Sequence, residues 1–450
     1  RAFVEERTEG FEELKAAVAE YTPARVQRIT GIPAADLEAA ARLYATAERG
    51  AILYAMGITQ HTTGVDNVLS CANLAMLTGN VGKPGTGVNP LRGQNNVQGA
   101  CDLGGLPNVY SGYQAVTSEA VQTKFKEAWG QAGPTRVGLT VTEMMDGVYH
   151  GDLKTLFVLG ENPMVSDPDL NHVRAALERC EFLVVQDIFL TETAQLADVI
   201  LPGSTFVEKD GTFTGTDRRI QQIRQAIEPL GDSRPDWAII ADLGQRMNGQ
   251  ADDAPYAGWE YETPGDVMDE IAALTPIYGG ANYQRLEEEG FLQWPVPTVE
   301  HPGTPYLHKG RFSRGLGHFS PVAFKEPAEA PDQEYPLTLT TGRIMFHYHT
   351  GSMTRRSEKL DQEVPEGYVE ISPEDADRLG LGKSEPVRVI SRRGEIRTKA
   401  WITRRVPPGT VFIPFHFAES AANVLTNPAL DPIAKIPEYK VAAVRIEKVA

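Results

Sequence analysis

The stretch from Gly85 to Gly104, GTGVNPLRGQNNVQGACDLG, gathers residue types that suit a ligand with many heteroatoms better than they suit a core. Arg92, its single cation, carries a planar guanidinium fork that matches a carboxylate or a phosphate bidentately and keeps its charge. Gln94, Asn95, Asn96 and Gln98 offer paired donors and acceptors. Glycines at 85, 87, 93 and 99 allow close backbone approach. On residue types alone, two chemistries stay open for Arg92: fixing a small carboxylate substrate, or holding a phosphate. The same composition also describes a polar surface loop held by its own side chains. His347, Tyr348 and His349 form a second cluster, but two histidines flanking one residue, with no further ligand beside them, are weak evidence for a metal.

Elements must position these groups. Thr22-Pro23 and Ile32-Pro33 place proline where helices can begin, and Ala34 to Ala47 has apolar residues at helical spacing. AILYAMG, Ala51 to Gly57, reads as a buried strand ending at a turn, and Asp66 is expected to cap a helix running through Leu77 and closed by Gly79. Gln60 and His61 fall in the intervening turn, where ligands of open parallel sheets tend to sit. TLFVLG, FLVVQD and ADVILPG are three apolar runs alternating with helical segments, which predicts a parallel sheet with helices on its faces. Their carboxyl ends carry Gly160-Glu161-Asn162, Gln186-Asp187 and Gly203-Ser204. Such ends form the crevice where nucleotides bind, although polar caps are also what any sheet of this kind carries there.

EKDGTFTGTDRRIQ, Glu208 to Gln221, reads as a hairpin turning at Lys209-Asp210-Gly211. From about Asn248 to Glu334 the sequence is patchy, with Pro, Gly and acidic clusters, and reads as helix plus connection. After Tyr335 short strands separated by glycine and proline suggest a closed barrel, with a hairpin turn at Arg392-Arg393-Gly394.

Composition narrows the function classes. A net charge of -17 over 450 residues argues against nucleic acid, whose binders carry a basic face, and leaves a small anionic substrate in need of local positive charge. No apolar run approaches a membrane span. The three cysteines, Cys71, Cys101 and Cys180, lie far apart without a CxxC pair, so an iron–sulfur or zinc site made from them alone is excluded. Cys71 and Cys180 read as buried small hydrophobes, and Cys101 as a loop cysteine. The chain opens at Arg1 without a methionine and reads straight into helix, so a truncated or processed polypeptide is expected.

RGQNNVQGACDLGGLPNVYSGYQ resembles the active-site segment of formate dehydrogenase catalytic subunits, members of the molybdenum or tungsten bis(pyranopterin guanine dinucleotide) oxidoreductases. The likeness extends through TEGFEELKAAVAEYTPARVQRITG, MGITQHTTG, NLAMLTGNVGKPGTGVNP, LGENPMVSD, VVQDIFLTETAQLADVILPGSTFVEKDGTFT and PIAKIPEYKVAAVRIE. It covers essentially the whole chain, but only about the C-terminal two thirds of such a subunit. It implies α/β layers followed by a six-stranded double-psi β-barrel, with boundaries at 1-93 and 94-247 (α/β), 248-334 (connection) and 335-450 (barrel). It implies oxidation of formate to CO2 with Arg92 as the substrate-binding cation. Cofactor contacts are implied at Met56, Gly57, Gln60, His61, Gly93, Gln94, Gly160, Glu161, Asn162, Ser166, Gln186, Asp187, Ser204, Arg343, His347, His349, Ser352, Asn423, Tyr439 and Lys440.

The family needs a cysteine or selenocysteine metal ligand followed directly by histidine, and none of the three cysteines is followed by one. No metal ligand is therefore expected from this chain. A 4Fe-4S cluster is expected only in a missing N-terminal part, or in a partner chain carrying it, with an electron-transfer subunit as a further partner. By itself the chain is expected to be inactive, and cytoplasmic. A nitrate-reductase-like oxotransferase and a noncatalytic scaffold related to the large subunit of NADH dehydrogenases are the alternatives.

Overall fold

The computed structural model describes residues 1–131, 133–248 and 258–449, so residues 249–257 of the expected connection lie outside the described residues. The chain divides into two compact units, Arg1–Arg92 with Thr304–Ala328 and Ala429–Glu438, and Gly93–Gly303 with Glu329–Pro428 and Tyr439–Ala450.

In the first unit, helices Pro23–Thr30 and Ala34–Thr46 form as the proline positions require, and the Thr22 side chain caps the former. Strand β1 (Ala51–Tyr54) pairs in parallel with β2 (Gly87–Pro90). The apolar run that reads as a buried strand is covered only in part: Leu53 is 63% exposed. Helix Gly64–Leu77 has Thr63, not Asp66, at its N-cap; Asp66 sits in the first turn and pairs with Lys325, Nζ to Oδ2 3.0 Å. Two buried acids tie the late segment to that helix start. Glu438 accepts from Thr62 N and Oγ1 (3.3 and 3.1 Å), and Asp431 accepts from Val65 N (3.0 Å). A small core of Leu14, Met76 and Phe319 closes the unit.

In the second unit, β3 (Thr155–Leu159), β4 (Phe182–Asp187) and β5 (Val199–Pro202) form a parallel sheet in that order. The alternation of strand side chains puts Val158, Leu183 and Val185 on one face, where helices Val141–His150 and Leu170–Leu177 cover them with Met145, Val148, Val173 and Leu177. Each fully buried aliphatic chain of this kind contributes about 1.5–3 kcal/mol. The hairpin that follows turns elsewhere than at Gly211. Its strands are Gly211–Thr214 and Arg219–Ile223, and the turn is Gly215 to Arg218, with Arg218 at φ 69°. Gly211 has a negative φ and simply opens the first strand.

The barrel is closed. Strands β6 (Leu337–Gly342), β7 (Tyr368–Ile371), β8 (Pro386–Ile390), β9 (Glu395–Ile402), β10 (Thr410–Pro414) and β11 (Ala442–Lys448) run in the spatial order β6-β10-β7-β9-β8-β11. Two parallel pairs, β6 with β10 and β7 with β9, lie among antiparallel ones, the mixed closure of a double-psi barrel. Its interior includes Leu337, Leu339, Val369, Ile371, Val387, Val389, Ile396, Ala400, Val411, Ile413, Ala442, Val444 and Ile446, residues that alternate along the strands. The hairpin between β8 and β9 turns at Arg392-Arg393-Gly394, with Ser391 N donating to Gly394 O.

Among the described residues no helix is long and apolar enough to cross a membrane. Cys71 and Cys180 are half-buried rather than buried, and Cys101 lies in a short helix, Val97–Asp102, rather than a loop. Helix propensity alone does not hold six residues containing glycine. Tertiary bonds do, chiefly to Asp102, which is fully buried and accepts from Gln98 Nε2 (2.8 Å), Tyr113 OH (2.7 Å) and Tyr278 OH (2.8 Å).

Candidate functional site

Within the first unit, Arg92 and the segment Met56–His61 follow the carboxyl ends of the two parallel strands. Leu91 N donates to Tyr54 O at 2.7 Å, and Arg92 is exposed beside Tyr54, whose phenol pKa burial raises while the Arg92 charge opposes. Met56–Thr59 forms one helical turn, and the His61 ring bonds to Gly57 O (2.9 Å). Arg92, Met56, Gly57, Gln60 and His61 are thus brought to one sheet end.

The second unit carries a larger cluster. Gly160 leaves β3 with φ 60° and donates to Gln186 O at 2.8 Å, locking the two strand ends together. Glu161 turns back on itself, its Oε2 accepting from Asn162 N and Ser166 Oγ at 2.9 Å each. Ser166 Oγ also reaches Asp167 Oδ1 at 3.0 Å, while the buried Asp167 Oδ2 has no partner among the described residues. Burial, with the Glu161 charge second, pushes the Asp167 carboxyl up to about 7. The buried Gln186 gives its amide nitrogen to Asp236 (2.8 Å), and among the described residues neither its Oε1 nor the buried Ser204 Oγ has a partner. Asp187 is turned to the backbone, accepting from Ile188 N (2.6 Å) and Phe189 N (3.2 Å).

Asn423, after β10, donates to Val165 O and Ser166 O at 2.9 Å each, which fastens a barrel loop to the strand-end turn. Tyr439 lies beside the acids: burial, then the charges of Asp167 and Glu161, raise its phenol pKa. Lys440 Nζ donates to Thr341 O (2.6 Å). Burial, with the Arg343 charge second, lowers the Lys440 pKa to about 8. Arg343 Nη2 lies 3.2 Å from His349 Nδ1, and a Cβ on Gly93 would meet the His349 ring at 2.5 Å and Arg343 Nη2 at 3.4 Å. Gly93 is therefore glycine because the backbone passes against that pair. Gln94, next in the chain, is exposed.

Three further implied contacts are engaged by the protein. Asn162 Oδ1 accepts from Thr193 N and Oγ1, and its Nδ2 donates to Glu192 (2.7 Å). The buried His347 bonds Val364 O (2.7 Å) and Thr354 Oγ1 (3.3 Å), and Ser352 Oγ pairs with Thr350 Oγ1 (2.9 Å). Sequence reasoning missed Asp167, Thr341 and His416. Asp167 directly follows Ser166 in the quoted LGENPMVSD run and was within reach; a histidine inside the apolar IPFHF run gives no signal.

The arrangement is of a kind that could hold a cofactor. At one end stand buried oxygens without partners among the described residues, Gln186 Oε1, Ser204 Oγ and Asp167 Oδ2, at the carboxyl ends of a parallel sheet. At the other stand two mutually repelling cations, the exposed Arg343 and the half-buried Lys440, with His349. Unpaired acceptors suit the N–H groups of a base, and paired cations suit phosphates, so the residues fit a purine dinucleotide.

Comparison with known proteins gives the family. Residues 14–246 match the model of molybdopterin oxidoreductases, and residues 337–443 that of the molybdopterin dinucleotide-binding domain. The chain belongs to the molybdopterin oxidoreductase family. It is 52% identical over 449 residues to the F420-dependent formate dehydrogenase 1 subunit alpha of Methanococcus maripaludis, covering 99% of this chain and 65% of that one. It is 42% identical to formate dehydrogenase H of Escherichia coli, covering 100% of this chain and 63% of the relative. The chain thus spans about two thirds of the length of these curated relatives. Acetylene hydratase from Pelobacter acetylenicus shares the fold, with a TM-score of 0.75 at 18% identity over 99% of this chain and 67% of that one.

Proposed function

We propose that this chain is the cofactor-binding and substrate-binding portion of a formate dehydrogenase catalytic subunit, holding a molybdenum or tungsten bis(pyranopterin guanine dinucleotide). The observation that carries the reading is the cluster in the second unit, where buried acceptors without partners among the described residues, a barrel loop fastened to the strand-end turn by Asn423, and the cations Arg343 and Lys440 occur in a chain whose residues 337–443 match a dinucleotide-binding domain. Formate oxidation releases two electrons and a proton, and no side chain accepts two electrons, so the metal–pterin group supplies the redox chemistry.

The chain's own residues bind and orient. Gln186 and Ser204 accept from the guanine edge. Arg343, Lys440 and His349 take the phosphates, and Arg92 holds the formate carboxylate through two parallel N–H donors, fixing its C–H direction. The metal ligand and the nearby proton acceptor come from a segment bearing a Cys-His or selenocysteine-His pair, on the same subunit or on a partner. In a dye-reduction assay the 450-residue chain alone is expected to show no formate oxidation, and the subunit with that segment to show it. Sustained turnover by the chain alone would overturn the assignment of the metal ligand.

Lys440 gives the site a pH signature. By itself the depressed pKa means that stability falls as pH drops from 10.5, the ordinary value, through about 8, because desolvation, with the Arg343 charge second, disfavours the half-buried ammonium. A bound phosphate reverses that cost, so nucleotide retention is expected to weaken about tenfold as pH rises through the folded value and the charge is lost. Dialysis of the loaded protein at pH values on either side, followed by assay of retained guanine nucleotide, reads this. A Lys440→Met variant should show a flat profile, and an unchanged slope in that variant would remove Lys440 from phosphate binding.

A further inference from the structure

His416 follows strand β10 and is fully buried. Its Nε2 accepts from Ile344 N at 3.0 Å, and its Nδ1 hydrogen-bonds to the carbonyl of His349. A backbone N–H can only donate and a carbonyl can only accept, so the ring must be a neutral imidazole carrying its proton on Nδ1. The titratable and charged groups that face it are Arg343, His347 and His349. Burial first, and these neighbours after it, lower its pKa to about 4, so the neutral form the geometry needs is the form present near neutrality.

The two backbone groups it joins bracket the segment between Ile344 and His349, which runs from the end of β6 into the left-handed residue His349, φ 47°. A non-glycine residue persists in that conformation only when its surroundings over-determine it. The ring does part of this through its bond to the His349 carbonyl, and nearby the His416 carbonyl lies 2.5 Å from where a Cβ on Gly351 would sit, so the chain passes close there. Arg343 and His349, the side chains this segment presents 3.2 Å apart, are the pair against which Gly93 passes.

We propose that His416 is a positioning residue: its two ring nitrogens staple Ile344 N–H to His349 C=O and thereby hold Arg343 and His349 in place for an anionic ligand. This rests on the reading of that pair as the phosphate end of the site. The staple needs one acceptor and one donor, which a glutamine amide also has and a phenyl ring lacks.

The test is amide hydrogen exchange on the cofactor-loaded protein that contains this chain, comparing the parent with His416→Gln and His416→Phe, with bound guanine nucleotide measured alongside. In His416→Phe the segment 343–352 should exchange at least about tenfold faster at pH 7, with nucleotide content reduced, while His416→Gln stays close to the parent. After correction for intrinsic exchange, the parent should lose protection in this segment as pH falls from 6.5 toward about 4, the window set by its ordinary and folded values. His416→Gln should lack that acid limb. Parent-like protection in His416→Phe, or equal loosening in both variants, overturns the proposal, as does an acid limb that survives in His416→Gln. If the segment loosens in His416→Phe but nucleotide content holds, the staple stands and the assignment of the segment to the phosphates falls.

Discussion

Arg92→Lys, made in the complete loaded enzyme, is expected to lower formate turnover per bound metal by about ten- to more than hundredfold while metal and pterin content stay at parent levels. Lysine keeps the charge but offers one compact ammonium in place of two parallel donors, so the carboxylate binds yet swings out of line. The exposed position of Arg92 at the end of β2 suits a group that meets a diffusing substrate. If Arg92 instead holds a cofactor phosphate, the order of damage reverses: metal content falls first, and the enzyme that retains metal turns over normally. Metal analysis beside the rate separates the two, and near-normal turnover per metal removes Arg92 from the substrate role.

The second large effect is structural. Asp102→Ala is expected to destabilise the region around helix Val97–Asp102 by about 3–5 kcal/mol, because Gln98, Tyr113 and Tyr278 would each lose a buried acceptor. Burial raises the Asp102 pKa while these bonds oppose the shift, so this carboxylate is held in place by its donors rather than by a counter-charge alone. Tyr278 also bonds Thr214 Oγ1 (2.7 Å), so the loss should spread to the hairpin. Amide exchange across residues 97–113 and 275–281 measures it; Asp102→Asn, which keeps one oxygen, should fall between. Parent-like protection in Asp102→Ala would mean that the helix is held by its apolar contacts.

These two residues illustrate what the chain discloses before it folds. The strand ends were readable because apolar runs of five or six residues broken by Gly160 and Gly203 leave little else for the backbone to do, and parallel strands place their polar ends together. The barrel was readable because short strands separated by glycine and proline follow one another after Tyr335. What stayed hidden is which polar atoms the protein keeps for itself. Asn162 and Gln186 look equivalent at two strand ends, yet Thr193 and Glu192 occupy both ends of one amide and only half of the other is engaged. His416 was hidden because its neighbours are apolar and its partners lie far away in sequence. The same distance hid Glu438, which satisfies Thr62 across 376 residues. The Val97–Asp102 helix was hidden because its stability lives in tertiary hydrogen bonds that propensity does not encode.

The central claim is that the strand-end oxygens and the barrel cations of the second unit hold one guanine dinucleotide. A density map of the loaded protein tests it most directly. The account expects a purine edge within hydrogen-bond distance of Gln186 Oε1 or Ser204 Oγ and phosphate density against Arg343, Lys440 and His349. A map in which water or the protein's own side chains satisfy those atoms, with the dinucleotide bound by other residues, would contradict it.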